Sequence, residues 1–225
     1  MASVIQGHAG SAIAQRLQAY DDAIGRLPLW AHASWYAARG LTVPPAAGSP
    51  QGSPATAPLL AVALGVGLAE AAAFDRPAHR LAALPPGLLC RVLRARGLLR
   101  RRPALRQCLD TAMRARLVDW LYPSVFEAVL RESADSLHRD ATGLPLPPAR
   151  LAAEAPDRLA WEGFCLFQRD GTWTDRAVLR LLRLGFPEAM PLPAGLDDTP
   201  GAPEGSAWVL RRLDRFVPEA PWLCG

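Results

Sequence analysis

The chain of 225 residues contains no lysine and no asparagine, and only three isoleucines; all 25 of its basic residues are arginine. Lys, Asn and Ile have AT-rich codons, whereas the abundant Ala, Arg, Gly and Pro have GC-rich ones, so the composition points to a GC-rich bacterial genome. An arginine here stands wherever another chain would place either cation, and its presence alone signals no bidentate chemistry. The missing lysine removes the phosphate-gripping residue of a P-loop. Gly65-Val66-Gly67 lacks the third glycine and the strand-then-turn setting of a dinucleotide loop. No G-x-S-x-G occurs, so no nucleophile elbow is expected. The four cysteines, Cys90, Cys108, Cys165 and Cys224, form no C-x-x-C pair, and His8, His32, His79 and His138 stand apart from one another. Neither pattern holds zinc, and the reading is of buried thiols in a reducing compartment, with no metal and no cofactor. Asp135 and His138 read as a helix-surface pair, and the acidic pairs Asp21-Asp22 and Asp197-Asp198 as a helix face and a loop.

Long apolar runs are missing too. The N-terminus has no basic start followed by an apolar stretch, so no secretory signal is expected. The most apolar segment runs from Leu59 to Ala69, meets Glu70 and continues to Phe74. It is shorter than the about 20 residues of a membrane-spanning helix and reads as a buried helix. These readings place the chain in the cytoplasm, without membrane insertion.

What is present is helical periodicity. Ile13, Leu17, Tyr20, Ile24 and Leu27 make one apolar stripe over about Ala12 to Leu27. Trp30, Trp35 and Tyr36 follow, with Pro28 suited to a helix start and Gly40 to a stop. A Pro-, Gly-, Ser- and Ala-rich loop at 43–58 separates this N-terminal hairpin, 1–42, from a main helical domain, 59–225, and the whole is expected to fold as one cooperative unit. In that domain Pro85-Pro86 opens a helix through about Leu99, and Pro103 opens another through about Tyr122. Pro123 restarts the pattern to Leu137, a second loop spans 142–148, and a short helix or turn covers Leu151 to Phe167. Asp170-Gly171 could close a small β-hairpin between CLFQ and TWT. Thr174 is placed as the N-cap of a helix over Asp175 to Phe186, with Arg176, Arg180 and Arg183 on its polar side. A final helix covers Ala207 to Val217. The sum is about seven helices in an irregular all-α fold with no internal repeat.

One charge feature stands out. Arg91, Arg94, Arg96, Arg100, Arg101, Arg102, Arg106, Arg114 and Arg116 are offset only by Asp110. The readings weighed are a solvated helical surface, a face for an acidic protein partner, nucleic acid and an anionic membrane; no aromatic residues interleave with the run, which counts against nucleic acid. The expected partner-binding residues are Arg91, Arg94, Arg100, Arg101, Arg102 and Arg106, with Trp30, Trp35 or Trp222 as an aromatic anchor. Reversal of Arg100, Arg101 and Arg102 is expected to weaken binding without unfolding the chain.

Four segments carry a family resemblance: LPLWAHASWYAARGL, LPPGLLCRVLRARGLLRRRPALRQCLD, TDRAVLRLLRLGFPEAMP, and the last Trp-bearing helix with the closing PWLCG. In this order they resemble the K-type accessory subunit of the type III secretion sorting platform, the SctK family with OrgA, MxiK and the Hrp-type cytoplasmic proteins. The resemblance implies a non-enzymatic adaptor at the cytoplasmic face of the inner membrane. Such an adaptor joins the cytoplasmic domain of the inner-membrane ring protein to the SctQ-like platform protein. The alternatives are a secretion chaperone or regulatory binding protein, a DNA-binding regulator within Leu88 to Arg116, and an enzyme without a known motif.

Overall fold

The computed structural model describes residues 2–42, 57–107, 110–132, 155–196 and 203–223, with side chains from residue 13 onward. The fold is all-α, with no strand among the described residues. In chain order the helices are α1 (Ala2–Gly25), α2 (Leu27–Trp30), α3 (Ala33–Ala37), α4 (Ala57–Ala63), α5 (Pro77–Arg80), α6 (Pro86–Arg100), α7 (Arg102–Gln107), α8 (Thr111–Leu121), α9 (Pro123–Arg131), α10 (Pro156–Arg169), α11 (Arg176–Arg183), α12 (Pro203–Leu210) and α13 (Leu213–Phe216). Short 3₁₀ turns occupy Ala71–Asp75, Leu81–Ala83 and Pro221–Leu223.

The chain divides into two compact units. The first gathers Met1–Pro86, Trp173–Pro191 and Trp222–Gly225; the second gathers Gly87–Thr172 and Leu192–Pro221. The residues expected as one main domain, 59–225, are thus shared between both units.

In the first unit α1 packs on α4 and on the 3₁₀ turns at 71–75 and 81–83. The apolar stripe read from the sequence faces inward: Tyr20 and Leu27 are buried, and Ile13, Leu17 and Ile24 are half-buried. Tyr20 meets Phe74 edge to face at 5.2 Å, and its hydroxyl donates to Gly67 O at 3.2 Å. Burial, with Asp175 and Asp21 nearby, pushes that phenol far above its ordinary value. Side-chain bonds to backbone carbonyls also tie the segments of this unit together. The Trp173 indole N–H donates to Ala78 O (3.0 Å), and Arg80 donates to Phe74 O (2.8 Å) and Leu223 O (2.9 Å).

The second unit is built on α6, which is buried on nearly every side: Leu89, Val92, Leu93, Ala95, Arg96, Gly97, Leu98, Leu99 and Arg100 all lie inside. Its partner α10 buries nine consecutive residues, Leu159 to Phe167. The two backbones touch through glycines. A Cβ placed on Gly97 would fall on Leu159 O, and one on Gly163 would fall on Leu93 O. α9 packs on α7, α8 and α13, and α10 on α12.

Several expected elements differ. The apolar segment 59–74 is not one helix: α4 stops at Ala63, where Gly65 takes φ +70°. The Gly65 N–H bonds Val62 O and the Val66 N–H bonds Ala61 O, the paired bonds of a Schellman ending. The expected hairpin is absent, because CLFQ belongs to α10 and Asp170-Gly171 ends that helix. Gly171 (φ +67°) bonds Gln168 O and Thr172 bonds Phe167 O, the same ending again. Glycine at φ > 0 serves both a hairpin turn and a helix stop, so the dipeptide alone was ambiguous. Asp175, not Thr174, caps α11 by accepting the Val178 N–H at 2.9 Å. The long helix from Pro103 to Tyr122 is two helices, α8 being capped by Asp110, which accepts the Ala112 and Met113 N–H groups. The helix over Ala207 to Val217 is likewise divided between α12 and α13. The loops at 43–56 and 142–148, the Asp135/His138 pair, Asp197-Asp198, Cys108 and Cys224 lie outside the described residues.

Candidate docking sites

The arginine-rich run belongs to the second unit. Because α6 is enclosed, its arginines cannot stand in water and must find partners. Arg96 is fully buried, bonds Ser206 Oγ at 3.0 Å and pairs with the equally buried Asp170 at 2.8 Å. Ser206 Oγ also donates to Asp170 Oδ2 at 2.6 Å, closing a three-residue ring. Arg100, 7% exposed, and Arg101 both pair with the buried Glu162. Arg102 is buried and donates to Glu132 O; Arg106 donates to Leu130 O and Glu132 O, so the two close the C-terminus of α9. Arg91 stacks 3.6 Å over the Tyr122 ring and pairs with Glu219 at 2.9 Å, holding that carboxyl below its ordinary range. Arg94 donates to Pro156 O and Trp120 O and lies 3.5 Å from Asp157. Of the run, Arg96, Arg100 and Arg102 are thus buried in a network of guanidinium contacts, Arg91, Arg94, Arg101 and Arg114 are half-buried, and Arg106 and Arg116 are exposed. Such a network was not visible from residue spacing, since its acceptors come from residues 120–132, 156–170, 195, 206 and 216–219.

The tryptophans divide. Trp30 is half-buried and donates to Ala23 O (2.9 Å), and Trp222 is half-buried with its carbonyl accepting from Arg16. Trp35 is 4% exposed and donates to Phe186 O at 2.7 Å. Its ring is a platform for cations. The guanidinium carbons of Arg180, Arg183 and Arg39 lie 4.6, 5.1 and 5.3 Å from the ring centroid. Arg183 is fixed by Phe186 O and Glu188 O, and Arg39 pairs with the Glu188 carboxylate at 3.6 Å. Arg180 spends its Nε–H on Leu64 O, at the end of α4. Burial, then Arg39, lowers the affinity of Arg180 for its proton, and Glu188 opposes this. Sequence reasoning placed Trp35 as an anchor and Arg180 and Arg183 on a polar side. It did not join them to Arg39, because the contact bridges residues 35–39 and 180–188.

Among the described residues, His32 and His79 are engaged in structural bonds. His79 is buried, with Nδ1 2.8 Å from Ala73 O and Nε2 accepting the Thr174 N–H at 3.1 Å, so one tautomer satisfies both nitrogens. The exposed His32 caps α3 by accepting the Ser34 N–H. Cys165 is buried; Cys90 is half-buried, and burial raises its thiol above the ordinary value. Among the described residues no group of His, Cys, Asp and Glu is arranged to hold a metal ion. No helix among them is long and apolar enough to cross a membrane. A cleft of about 420 Å³ in the second unit is lined by Glu132, Glu204, Trp208, Arg211 and Arg212. Arg212 lies over the Trp208 ring at 4.4 Å and pairs with Glu132 at 3.5 Å.

Neither a curated protein nor a solved structure matches the chain. A family model does: that of the bacterial type III secretion protein HrpB4 matches residues 9–219, which takes in both units from α1 through α13. The chain therefore belongs to the HrpB4 family of bacterial type III secretion proteins.

Proposed function

We propose that the chain is a docking subunit of the secretion apparatus that joins the cytoplasmic domain of the inner-membrane ring protein to the SctQ-like platform protein. It works at the cytoplasmic face of the inner membrane and catalyses no reaction. The observation that carries this reading is the family match over residues 9–219, which assigns the chain to a secretion system. The geometry supports it in two ways. The histidines at 32 and 79 are spent on capping and clasping bonds. The first unit also exposes apolar side chains, Leu29, Leu59, Val62 and Leu68, of the kind a partner covers.

Binding of this sort needs apolar anchors within a polar rim, while charge complementarity speeds encounter and fixes register. An affinity pull-down of the tagged chain from its native bacterium, read by mass spectrometry, tests the reading. Recovery of both the ring protein and the SctQ-like protein is expected. Stable one-to-one capture of a single exported protein, with neither apparatus protein present, would replace the adaptor with a chaperone.

A further inference from the structure

Two features of the first unit meet at Arg180. One is α4. Residues 57–69 carry no charge, and the helix is apolar on all sides. Ala57, Ala61 and Leu64 face inward, while Leu59 and Val62 are 75% and 78% exposed, and Leu68 beyond the helix is 83% exposed. A helix apolar all round is ordinarily covered all round. Here one side is covered by the unit and the other is bare. The other feature is the cationic cluster on Trp35. Arg180 links the two, because its Nε–H donates to Leu64 O while its guanidinium lies on the indole. No carboxylate among the described residues lies within ion-pair distance of Arg180. The Glu188 carboxylate pairs with Arg39 instead. The result is a segment with exposed apolar side chains that is tied at Leu64 to the cationic cluster.

We propose that this composite surface docks an acidic, amphipathic segment of a protein partner. The partner's apolar side chains cover Leu59, Val62 and Leu68, and a carboxylate enters beside Arg180 and Arg39. The inference rests on the docking reading above and names the chemistry of one partner. Charge complementarity selects the occupant. Burial, and after it the neighbouring Arg39, weakens the hold of Arg180 on its proton, and an incoming carboxylate opposes this as Glu188 does. A guanidinium already held over an aromatic ring and bonded to Leu64 O loses little freedom on pairing. A lipid surface fits less well. Interfacial helices present a long apolar face with cations along its flanks, whereas α4 has seven residues and the cations are gathered at one end, over a ring.

The test uses the purified full chain and the purified SctQ-like and ring proteins, with binding measured at several salt concentrations. The variants are Leu59→Ser/Val62→Ser and Arg39→Glu, each at exposed positions, with thermal melts to confirm folding. Each variant is expected to weaken binding of one of the two proteins by about tenfold or more, in line with the loss of a hot spot. Arg39→Glu is also expected to flatten the salt dependence. If both folded variants bind both proteins as the wild type does, the surface is overturned while the adaptor reading stands. If the wild type binds neither protein, the adaptor reading fails and the surface falls with it. A third arm uses vesicles of phosphatidylglycerol and phosphatidylcholine. Vesicle binding abolished by the same substitutions, with protein binding untouched, would overturn the proposal in favour of lipid.

Discussion

At the scale of single residues, the decisive fact is that Arg96 and Asp170 have no exposed side-chain surface. A buried ion is tolerable only when paired and hydrogen-bonded, and removal of one partner strands the other. Asp170 serves Arg96, Ser206 and Arg169, so its carboxylate is the hub of the second unit. Asp170→Ala is expected to cost about 3–5 kcal/mol by chemical denaturation, the usual penalty for breaking a buried pair; a loss below about 1 kcal/mol, the level of a surface pair, would contradict this placement. The same logic revises what reversal of Arg100, Arg101 and Arg102 would do. A carboxylate at position 100 would face Glu162 in a buried setting, so the reversed chain loses its fold before any binding can be read. Composition could not reveal this. In a chain whose every cation is arginine, buried structural arginines and solvated ones look alike in sequence, and only the enclosure of α6 separates them.

At the scale of elements, the helices were legible wherever a local rule decides. Gly40 ends α3 at φ +63°, Pro86 opens α6, and Pro28 sits in the first turn of α2, as the sequence suggests. Errors arose where two local readings compete. The 59–74 segment is apolar enough for one buried helix, yet Gly65 allows the left-handed ending that stops α4 and leaves Leu59 and Val62 bare. The close approach of α6 and α10 was not legible either, because Gly97 and Gly163 are unremarkable until their helices cross. Gly163→Ala is expected to force the crossing apart and lower stability by about 1–3 kcal/mol or more, the range for overpacking. Gly87→Ala, in the same helix as Gly97 but with open space around it, is the control and should hold or raise the melting temperature. Equal melting temperatures for the two variants would show that the crossing is not tight.

At the scale of the whole molecule, the all-α class and the secretion-system family were within reach of the sequence, and the partition into units was not. Each unit is assembled from stretches far apart in the chain, the first closing with Trp173–Pro191 and Trp222–Gly225 upon Met1–Pro86. Linker composition at 43–58 marks a loop but says nothing of which later helices return to pack beside α1. The candidate surface shares this property. Trp35 was singled out for its aromatic character and Arg180 for its helix face, but the platform exists only because α11 returns to the residues around α3.

The proposed bridging of two proteins by this chain is best tested by reconstitution from purified components. The full chain, the cytoplasmic domain of the ring protein and the SctQ-like protein are mixed and analysed by sedimentation, in pairs and all together. The ring domain and the SctQ-like protein are expected to sediment separately without the chain and as one ternary species with it. Failure of the chain to bind either protein, or a complex of ring domain and SctQ-like protein that forms equally well in its absence, would show that the chain is not the bridge.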